Sequence, residues 1–190
     1  MPIQSLKDSP FIGKKTLLRP IESSDLDNIM EHWNNYEMRL GMGSYIPNSK
    51  KEREEWIKKV DEDMKNQLSY TFAVVEKDTN EFLGVTALKR VDKTNKSAFL
   101  SIAIYNPENH GKEFGSDAVE CILKIGFKIL NLHRIELHVY EFLKTAIHVY
   151  EKLGFKHVGV RRKASFIAGR YVDDLIMDIL EVEFRERFSS

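Results

Sequence analysis

Residues 108–118, with the sequence ENHGKEFGSDA, combine residue types that could bind a phosphate group. The segment follows an apolar run and precedes apolar residues at helical spacing. Glycine permits positive φ and a close approach of the backbone, and the free N–H groups of a helix start attract anions. The spacing matches neither a Walker loop nor the glycine pattern of dinucleotide-binding folds. An ordinary helix start is therefore the alternative interpretation, and Glu113 is an unexpected residue beside a phosphate.

Tyr150 is a candidate for acid–base chemistry, because a phenol with an ordinary pKa of about 10 can give a proton to a basic group placed next to it. The alternative is a structural role in the core, because Ala146, Val149 and Leu153 surround the tyrosine in a helical pattern.

Glu136 and His138 are the candidates for a general base, since both lie on one face of a predicted strand over residues 134–139. Either could deprotonate a substrate directly or through a water molecule, and a solvated strand face is the alternative. His133 would face the opposite side from His138, so we expect no metal site. Cys121 is expected to be a buried structural thiol.

Charge and cysteine content exclude several classes of protein. The 190 residues include 29 basic and 29 acidic side chains, so no overall charge favours nucleic acid or a membrane surface. One cysteine excludes a disulfide framework within the chain and favours a reducing, cytoplasmic compartment. The sequence shows no signal peptide and no apolar run of the roughly 20 residues that span a bilayer. We expect one soluble domain over residues 1–190, with a core of about 16–182.

The elements that must position these side chains alternate between strands and helices. Residues 34–48 have no clean period and are predicted to be a loop, whereas Ser49 and Glu52 form a capping box that predicts a helix start. The order predicted is β-α-α-β-β-β-α-β-α-β-β, which is a mixed α/β (α+β) arrangement. The seven strand-like runs cover residues 16–20, 69–76, 81–91, 97–105, 134–139, 155–160 and 171–182.

Several short motifs follow one another in an order that resembles the GNAT superfamily of N-acetyltransferases, specifically its Rim-type branch. The glycine-containing loop is followed by a helix that ends in tyrosine, Glu-Lys-x-Gly-Phe, and then by two motifs near the last strands. The likeness extends over roughly residues 16–182. The motifs are residues 17–20 (LLRP), 110–115 (HGKEFG), 150–155 (YEKLGF), 159–162 (GVRR) and 169–173 (GRYVD).

This resemblance implies a fold, a cosubstrate and a set of contacts. The fold would be a seven-stranded, mostly antiparallel sheet that splays between strands 4 and 5, with helices on both faces. Acetyl-CoA would lie in the splay, Tyr150 would protonate the thiolate, and no metal would be needed. The implied cofactor-binding residues are Leu100, Ile102, Ile104, His110, Gly111, Lys112, Glu113, Phe114, Gly115, Ser116, Leu143 and Tyr150.

Four positions depart from the family pattern. His110 occupies the position where the family has a glutamine or arginine, and Glu113 occupies that of the central glycine. Leu143 occupies the position of an asparagine that binds the pantetheine arm in the family. Phe99 occupies the position at which many Rim-type members carry a candidate base. We expect the Glu113 side chain to turn away from the diphosphate, towards solvent or towards Lys112 or Lys124.

The acceptor is expected to be a primary amine, whether a protein N-terminus, a polyamine or an aminoglycoside. Glu136, His138 and Tyr45 are the candidate acceptor-site residues. A non-catalytic CoA-binding or regulatory module of the same fold is the alternative, and a phosphotransferase is disfavoured because the Walker residues are missing. Homodimerisation stays open.

Overall fold

The computed structural model describes residues 9–43 and 46–188. Its single sheet has seven strands: β1 (Thr16–Arg19), β2 (Tyr70–Glu76), β3 (Phe82–Asp92), β4 (Ser97–Ile104), β5 (Arg134–Tyr140), β6 (Lys156–Ile167) and β7 (Arg170–Leu180). The six α-helices in the described ranges are α1 (Leu26–Trp33), α2 (Tyr36–Gly41), α3 (Lys50–Lys65), α4 (Phe114–Lys124), α5 (Lys144–Leu153) and α6 (Glu181–Phe188). The α/β arrangement with a mostly antiparallel sheet is therefore confirmed.

The sheet order is β1-β2-β3-β4-β5-β7-β6, and only β4 and β5 run parallel to each other. Their pairing covers three positions, from Ser97 opposite Arg134 to Phe99 opposite Glu136. Beyond that point β4 stays paired with β3 and β5 stays paired with β7, so the two strands part. This confirms the predicted splay and opens a cleft in the middle of the sheet.

Helices cover both faces of the sheet, as predicted. The larger core packs α4, α5 and α6 against one face, where Ile135, Leu137 and Met177 are fully enclosed. The smaller core packs α1 and α3 against the other face around Trp33 and Tyr105. Apolar residues alternate along β5 towards the larger core, and this alternation leaves its polar residues on the α1–α3 face.

Local sequence signals set several element ends. Ser49 Oγ accepts a hydrogen bond from the Glu52 amide at 3.2 Å, and the Glu52 carboxylate accepts one from the Ser49 amide at 2.6 Å, which confirms the capping box of α3. Gly154 ends α5 with φ of +100°. The chain continues from α4 into a π-helical turn over Ile125–Ile129.

Three elements differ from the sequence prediction. The predicted loop at residues 34–48 contains α2, because the Asn35 side chain accepts a hydrogen bond from the Met38 amide and starts a short helix. The last strand ends at Leu180 instead of Val182, and α6 follows it with Phe184 buried in the larger core. β6 continues to Ile167, where a tight turn with positive φ at Ala168 and Gly169 leads into β7.

None of the described helices is long and apolar enough to cross a membrane.

Candidate active site

The loop before α4 has the backbone of an anion cradle. Gly111 has φ of +76°, and Glu113 has φ of +70° as the residue that precedes the helix. Within the described residues, the amide groups of residues 111–116 donate no hydrogen bond to a protein acceptor, and the first helical bond of this turn comes from Asp117. Successive unpaired N–H groups at a helix N-terminus form a site for a diphosphate. The loop therefore fits the phosphates of acetyl-CoA.

Side chains of the loop brace its backbone. His110 Nε2 donates to the Ile104 carbonyl at 2.9 Å and ties the loop to the end of β4. Ser116 Oγ donates to the Glu113 carbonyl at 2.9 Å, and Lys112 Nζ donates to Asn109 Oδ1 at 3.1 Å. The side chains of His110 and Ser116 thus act on the protein backbone, and the amides remain free for a ligand.

The Glu113 side chain is 63% exposed and forms an ion pair, but its partner differs from the prediction. Its Oε2 atom lies 2.7 Å from Lys15 Nζ, so neither Lys112 nor Lys124 pairs with it. Lys112 contacts Asn109, and Lys124 pairs with Glu120 one helical turn earlier. The sequence alone could not predict this ion pair, because Lys15 precedes β1 and is 98 residues away from Glu113 in the chain.

Asp117 fixes Lys15 next to the loop. Its buried carboxylate accepts hydrogen bonds from the amides of Lys14, Lys15 and Thr16 at 2.8–2.9 Å and from the Thr16 hydroxyl at 2.7 Å. Burial alone would raise the pKa of Asp117, but these hydrogen bonds outweigh it and the pKa lies below its ordinary value. A Cβ at Gly13 would lie 2.1 Å from Asp117 Oδ2, so the close approach requires glycine there. No local pattern in the sequence signals this anchor, which was absent from the predicted site.

Four of the predicted cofactor-binding residues lie on β4 and at the start of α5. Leu100, Ile102 and Ile104 point to the same face of β4, towards the larger core, and the last two are only partly buried. Leu143 precedes α5 and is partly buried against the same core. Beyond Phe99 the edge of β4 that faces β5 has no strand partner. Its backbone groups are positioned to meet a ligand in the cleft.

Tyr150 lies on α5, and its ring packs edge-on against Phe155 with centroids 5.7 Å apart. The residue is partly exposed, but desolvation of its hydroxyl raises the pKa to about 12. Within the described part of the chain, no hydrogen bond holds this hydroxyl. The phenol keeps its proton at neutral pH, and burial makes it a weaker acid than an exposed tyrosine.

Glu136 and His138 face the other side of the sheet, next to the point where β4 and β5 part. His138 Nε2 lies 3.2 Å from Glu136 Oε1, and the His138 ring meets the Phe99 ring with centroids 5.5 Å apart. Arg134 binds Glu136 and also donates from Nε to Asp178 Oδ2 at 2.6 Å. The two candidate base residues are thus brought together, whereas Tyr45 lies outside the described residues.

Two remaining predictions concern Cys121 and metals. Burial raises the pKa of Cys121 to about 12, and the negative charge of the nearby Asp117 makes a smaller contribution in the same direction. The buried Cys121 side chain therefore stays a protonated thiol. Among the residues with described positions, no group of three or more His, Cys, Asp or Glu side chains could hold a metal ion.

A sheet that splays beside an amide cradle is the arrangement that the resemblance to CoA-dependent acetyltransferases implies. The family model described as "Acetyltransferase (GNAT) domain" matches residues 15–156. The chain therefore belongs to the GNAT family of N-acetyltransferases and uses acetyl-CoA.

Relatives and solved structures agree with this family. An uncharacterized N-acetyltransferase p20 from Bacillus licheniformis is 26% identical over 90% of this chain and 96% of its own length. Spermidine N(1)-acetyltransferase from Vibrio cholerae is 31% identical over 60% of this chain and 65% of that enzyme. The crystal structure of spermidine N-acetyltransferase from Vibrio cholerae in complex with CoA and spermine superposes with a TM-score of 0.81 at 30% identity, covering 90% of this chain and 98% of that one.

Proposed function

We propose that this N-acetyltransferase acetylates a primary amine of a small polycationic acceptor, with polyamines as the leading class. The observation that carries the proposal is the parting of β4 and β5 after Phe99 and Glu136. In this proposal the Tyr150 phenol on the α4–α5 side and the His138–Glu136 pair on the α1–α3 side both face the resulting cleft. One side suits a leaving thiolate, and the other suits an incoming amine.

His138 is proposed as the group that removes the proton from the amine. An ammonium group must lose a proton before nitrogen can attack a carbonyl carbon. Glu136 Oε1 at 3.2 Å orients the imidazole, and Arg134 fixes Glu136 from the other side. Because Phe99 replaces the glutamate found at this position in many Rim-type members, the base in this chain would come from β5.

Tyr150 is proposed as the acid. Acetyl-CoA supplies the activated acetyl group when bound, and the free backbone groups of β4 would hydrogen-bond its carbonyl oxygen. The Tyr150 hydroxyl would then protonate the thiolate as it leaves. Direct transfer to the amine requires no covalent intermediate on the protein.

A buried carboxylate supports an acceptor with a second positive charge. Asp174 is 5% exposed, and its Oδ1 atom has no hydrogen-bond partner, while Arg161 lies 3.5 Å from Oδ2. On β7, Asp174 is two residues from Ile176, which is opposite His138 on β5. Two strand residues span roughly 7 Å, comparable to the spacing of neighbouring nitrogens in a polyamine. The spermidine acetyltransferase relatives support the same class.

An acceptor panel tests this function. Purified protein is incubated with acetyl-CoA and spermidine, spermine, an aminoglycoside or a peptide with a free N-terminus, and thiol release is followed. We expect the highest kcat/KM with a polyamine. A higher value with the peptide would instead support an N-terminal acetyltransferase of the Rim-type branch. CoA binding without turnover of any amine would favour the non-catalytic module.

The role of Asp174 is tested with the same panel. Asp174→Asn removes the charge and keeps the size, so KM for spermidine should rise several-fold while KM for a monoamine changes little. Asp173→Asn is the matched control, because Asp173 binds Lys163 at the surface hairpin. Equal effects on the polyamine and the monoamine would remove Asp174 from acceptor recognition.

A further inference from the structure

Lys15 lies beside the amide cradle although it is far from the loop in sequence. Its Nζ atom donates to the Lys112 carbonyl at 3.0 Å and to Glu113 Oε2 at 2.7 Å. Both partners are loop residues, so the ammonium group sits at the rim of the site for the cofactor phosphates. None of the short motifs that carry the family resemblance includes this position.

The backbone that carries Lys15 is held rigidly. The Asp117 carboxylate in the first turn of α4 accepts the amide hydrogens of Lys14, Lys15 and Thr16. The same helix turn therefore positions both the free amides and the lysine. A lysine held in this way loses less conformational entropy on binding an anion than one on a mobile tail.

The ion pair between Lys15 and Glu113 is weak enough for a ligand anion to replace the carboxylate. The side chains are 46% and 63% exposed, and exposed ion pairs contribute little to stability. Lys15 is the main cause of the lowered pKa of Glu113, with smaller contributions from Lys152 and Lys14. An incoming phosphate carries more negative charge than a carboxylate and would compete for the same ammonium group.

We infer that Lys15 is a phosphate-binding residue of the acetyl-CoA site, and that Glu113 holds its ammonium group until a cofactor phosphate replaces the carboxylate. Glu113 then has two roles, since it supplies the positive φ of the cradle and keeps Lys15 at the rim. Cofactor binding would break the 2.7 Å contact and release the carboxylate to solvent. This inference concerns the cofactor alone and does not depend on the identity of the acceptor.

Calorimetric titration with CoA tests the inference without any turnover. Lys15→Met should weaken CoA binding about tenfold, as expected for the loss of one charged hydrogen bond. Lys77→Met is the control for net charge and should change affinity less than twofold, because the Lys77 ammonium group donates to the Gly13 carbonyl at 3.4 Å and the substitution keeps the backbone bond from the Lys77 amide to the Lys15 carbonyl. Equal affinities of the two variants would overturn the inference. Thermal melts confirm that both variants are folded.

The exchange is tested by a double-mutant cycle. Glu113→Gln should strengthen CoA binding about threefold when Lys15 is present, and should have no effect in the Lys15→Met background. The same change in both backgrounds would show that Glu113 acts on the ligand by simple repulsion and would overturn the exchange. Titration with 3′-dephospho-CoA identifies the phosphate: the Lys15→Met effect disappears if the partner is the 3′-phosphate and persists if it is the diphosphate.

These measurements are independent of the acceptor assay. A Lys15-dependent affinity for CoA in a protein that turns over no polyamine would support this inference and contradict the proposed acceptor.

Discussion

The two sides of the candidate active site are made from different parts of the chain. On the proposed cofactor side, the candidate ligand-binding groups are the backbone amides of residues 111–116, and the side chains of His110 and Ser116 bind the protein itself. On the proposed acceptor side, the candidate groups are the side chains of Glu136 and His138, held by Arg134. A backbone site accepts many side chains as long as its φ and ψ values persist. A side-chain site depends on residue identity.

This difference explains why the loop departs from the family pattern without losing its shape. His110 donates to the Ile104 carbonyl instead of to a ligand, and Glu113 adopts the positive φ that glycine normally provides. On the proposed acceptor side the corresponding change is Phe99, which cannot act as a base and packs against His138. Under the proposal, His138 takes the role of the base.

The largest expected effect is that of Tyr150→Phe. Removal of a general acid should lower kcat about 10²- to 10³-fold and leave CoA affinity within about twofold. Because burial raises the Tyr150 pKa to about 12, the phenol stays protonated through pH 6–10, so wild-type kcat should show no loss on the alkaline side from this group. Thiol-release assays and calorimetry measure the two quantities.

Tyr70→Phe is the control for Tyr150→Phe, since Tyr70 packs against the same core from β2. Its kcat should match the wild type. An unchanged kcat in Tyr150→Phe would remove the tyrosine from the acid role and would leave the backbone as the main contributor on the cofactor side.

Asp117→Ala should have the next largest effect, on stability. The change leaves the amides of Lys14, Lys15 and Thr16 without an acceptor, which costs about 3 kcal/mol and lowers Tm by roughly 6–12 °C. The lowered pKa of Asp117 means that its contribution is present above about pH 4 and is lost as pH falls through the folded-state pKa. The difference in Tm between wild type and variant should therefore shrink in acid.

Asp178→Ala tests whether any acidic residue on the sheet gives the same result. Asp178 accepts one hydrogen bond from Arg134, on the acceptor side. A smaller loss of Tm and an unchanged CoA affinity are expected there. If Asp117→Ala left CoA affinity unchanged as well, the cradle would not depend on its anchor.

The cofactor side is more predictable from sequence than the acceptor side. The order of strand, glycine-containing turn and helix is local, so the amino-acid sequence alone indicates a cradle at residues 110–116. The contact of Lys15 with Glu113 joins positions 98 residues apart and depends on β1 starting beside α4. Asp174 likewise reaches the acceptor side only through the β5–β7 register.

The fold shows the same limit. Alternation and turn residues are local signals, and they predict the seven strands but neither α2 nor α6. α2 has six residues and no apolar period, and it depends on the Asn35 cap and on the burial of Arg39. In α6, Phe184 is 1% exposed and packs between Phe127 and Phe188, contacts that the charged sequence around it does not indicate.

His138→Gln should lower kcat/KM about 10- to 100-fold at pH 7. The defect should shrink as pH rises, because the amine then loses its proton to solvent. His157→Gln is the matched control, since His157 also pairs with a glutamate, Glu151, at 2.8 Å but lies outside the cleft. A pH-independent defect in His138→Gln would show that the histidine only shapes the acceptor side.

The smallest effect tests the backbone itself. Gly111 has φ of +76°, and a Cβ there would meet no protein atom within 4 Å. Gly111→Ala therefore causes no clash within the protein, but it disfavours the left-handed backbone conformation and reduces the space open to a ligand. We expect a loss of roughly 1 kcal/mol in stability and a several-fold loss in CoA affinity. Gly115→Ala is the control, because its Cβ would lie 3.7 Å from Ile104 Cγ1, an ordinary contact, without a positive φ. Equal CoA affinities for the two variants would mean that the cradle does not need its left-handed turn, and the contrast between a backbone-built and a side-chain-built side would fail.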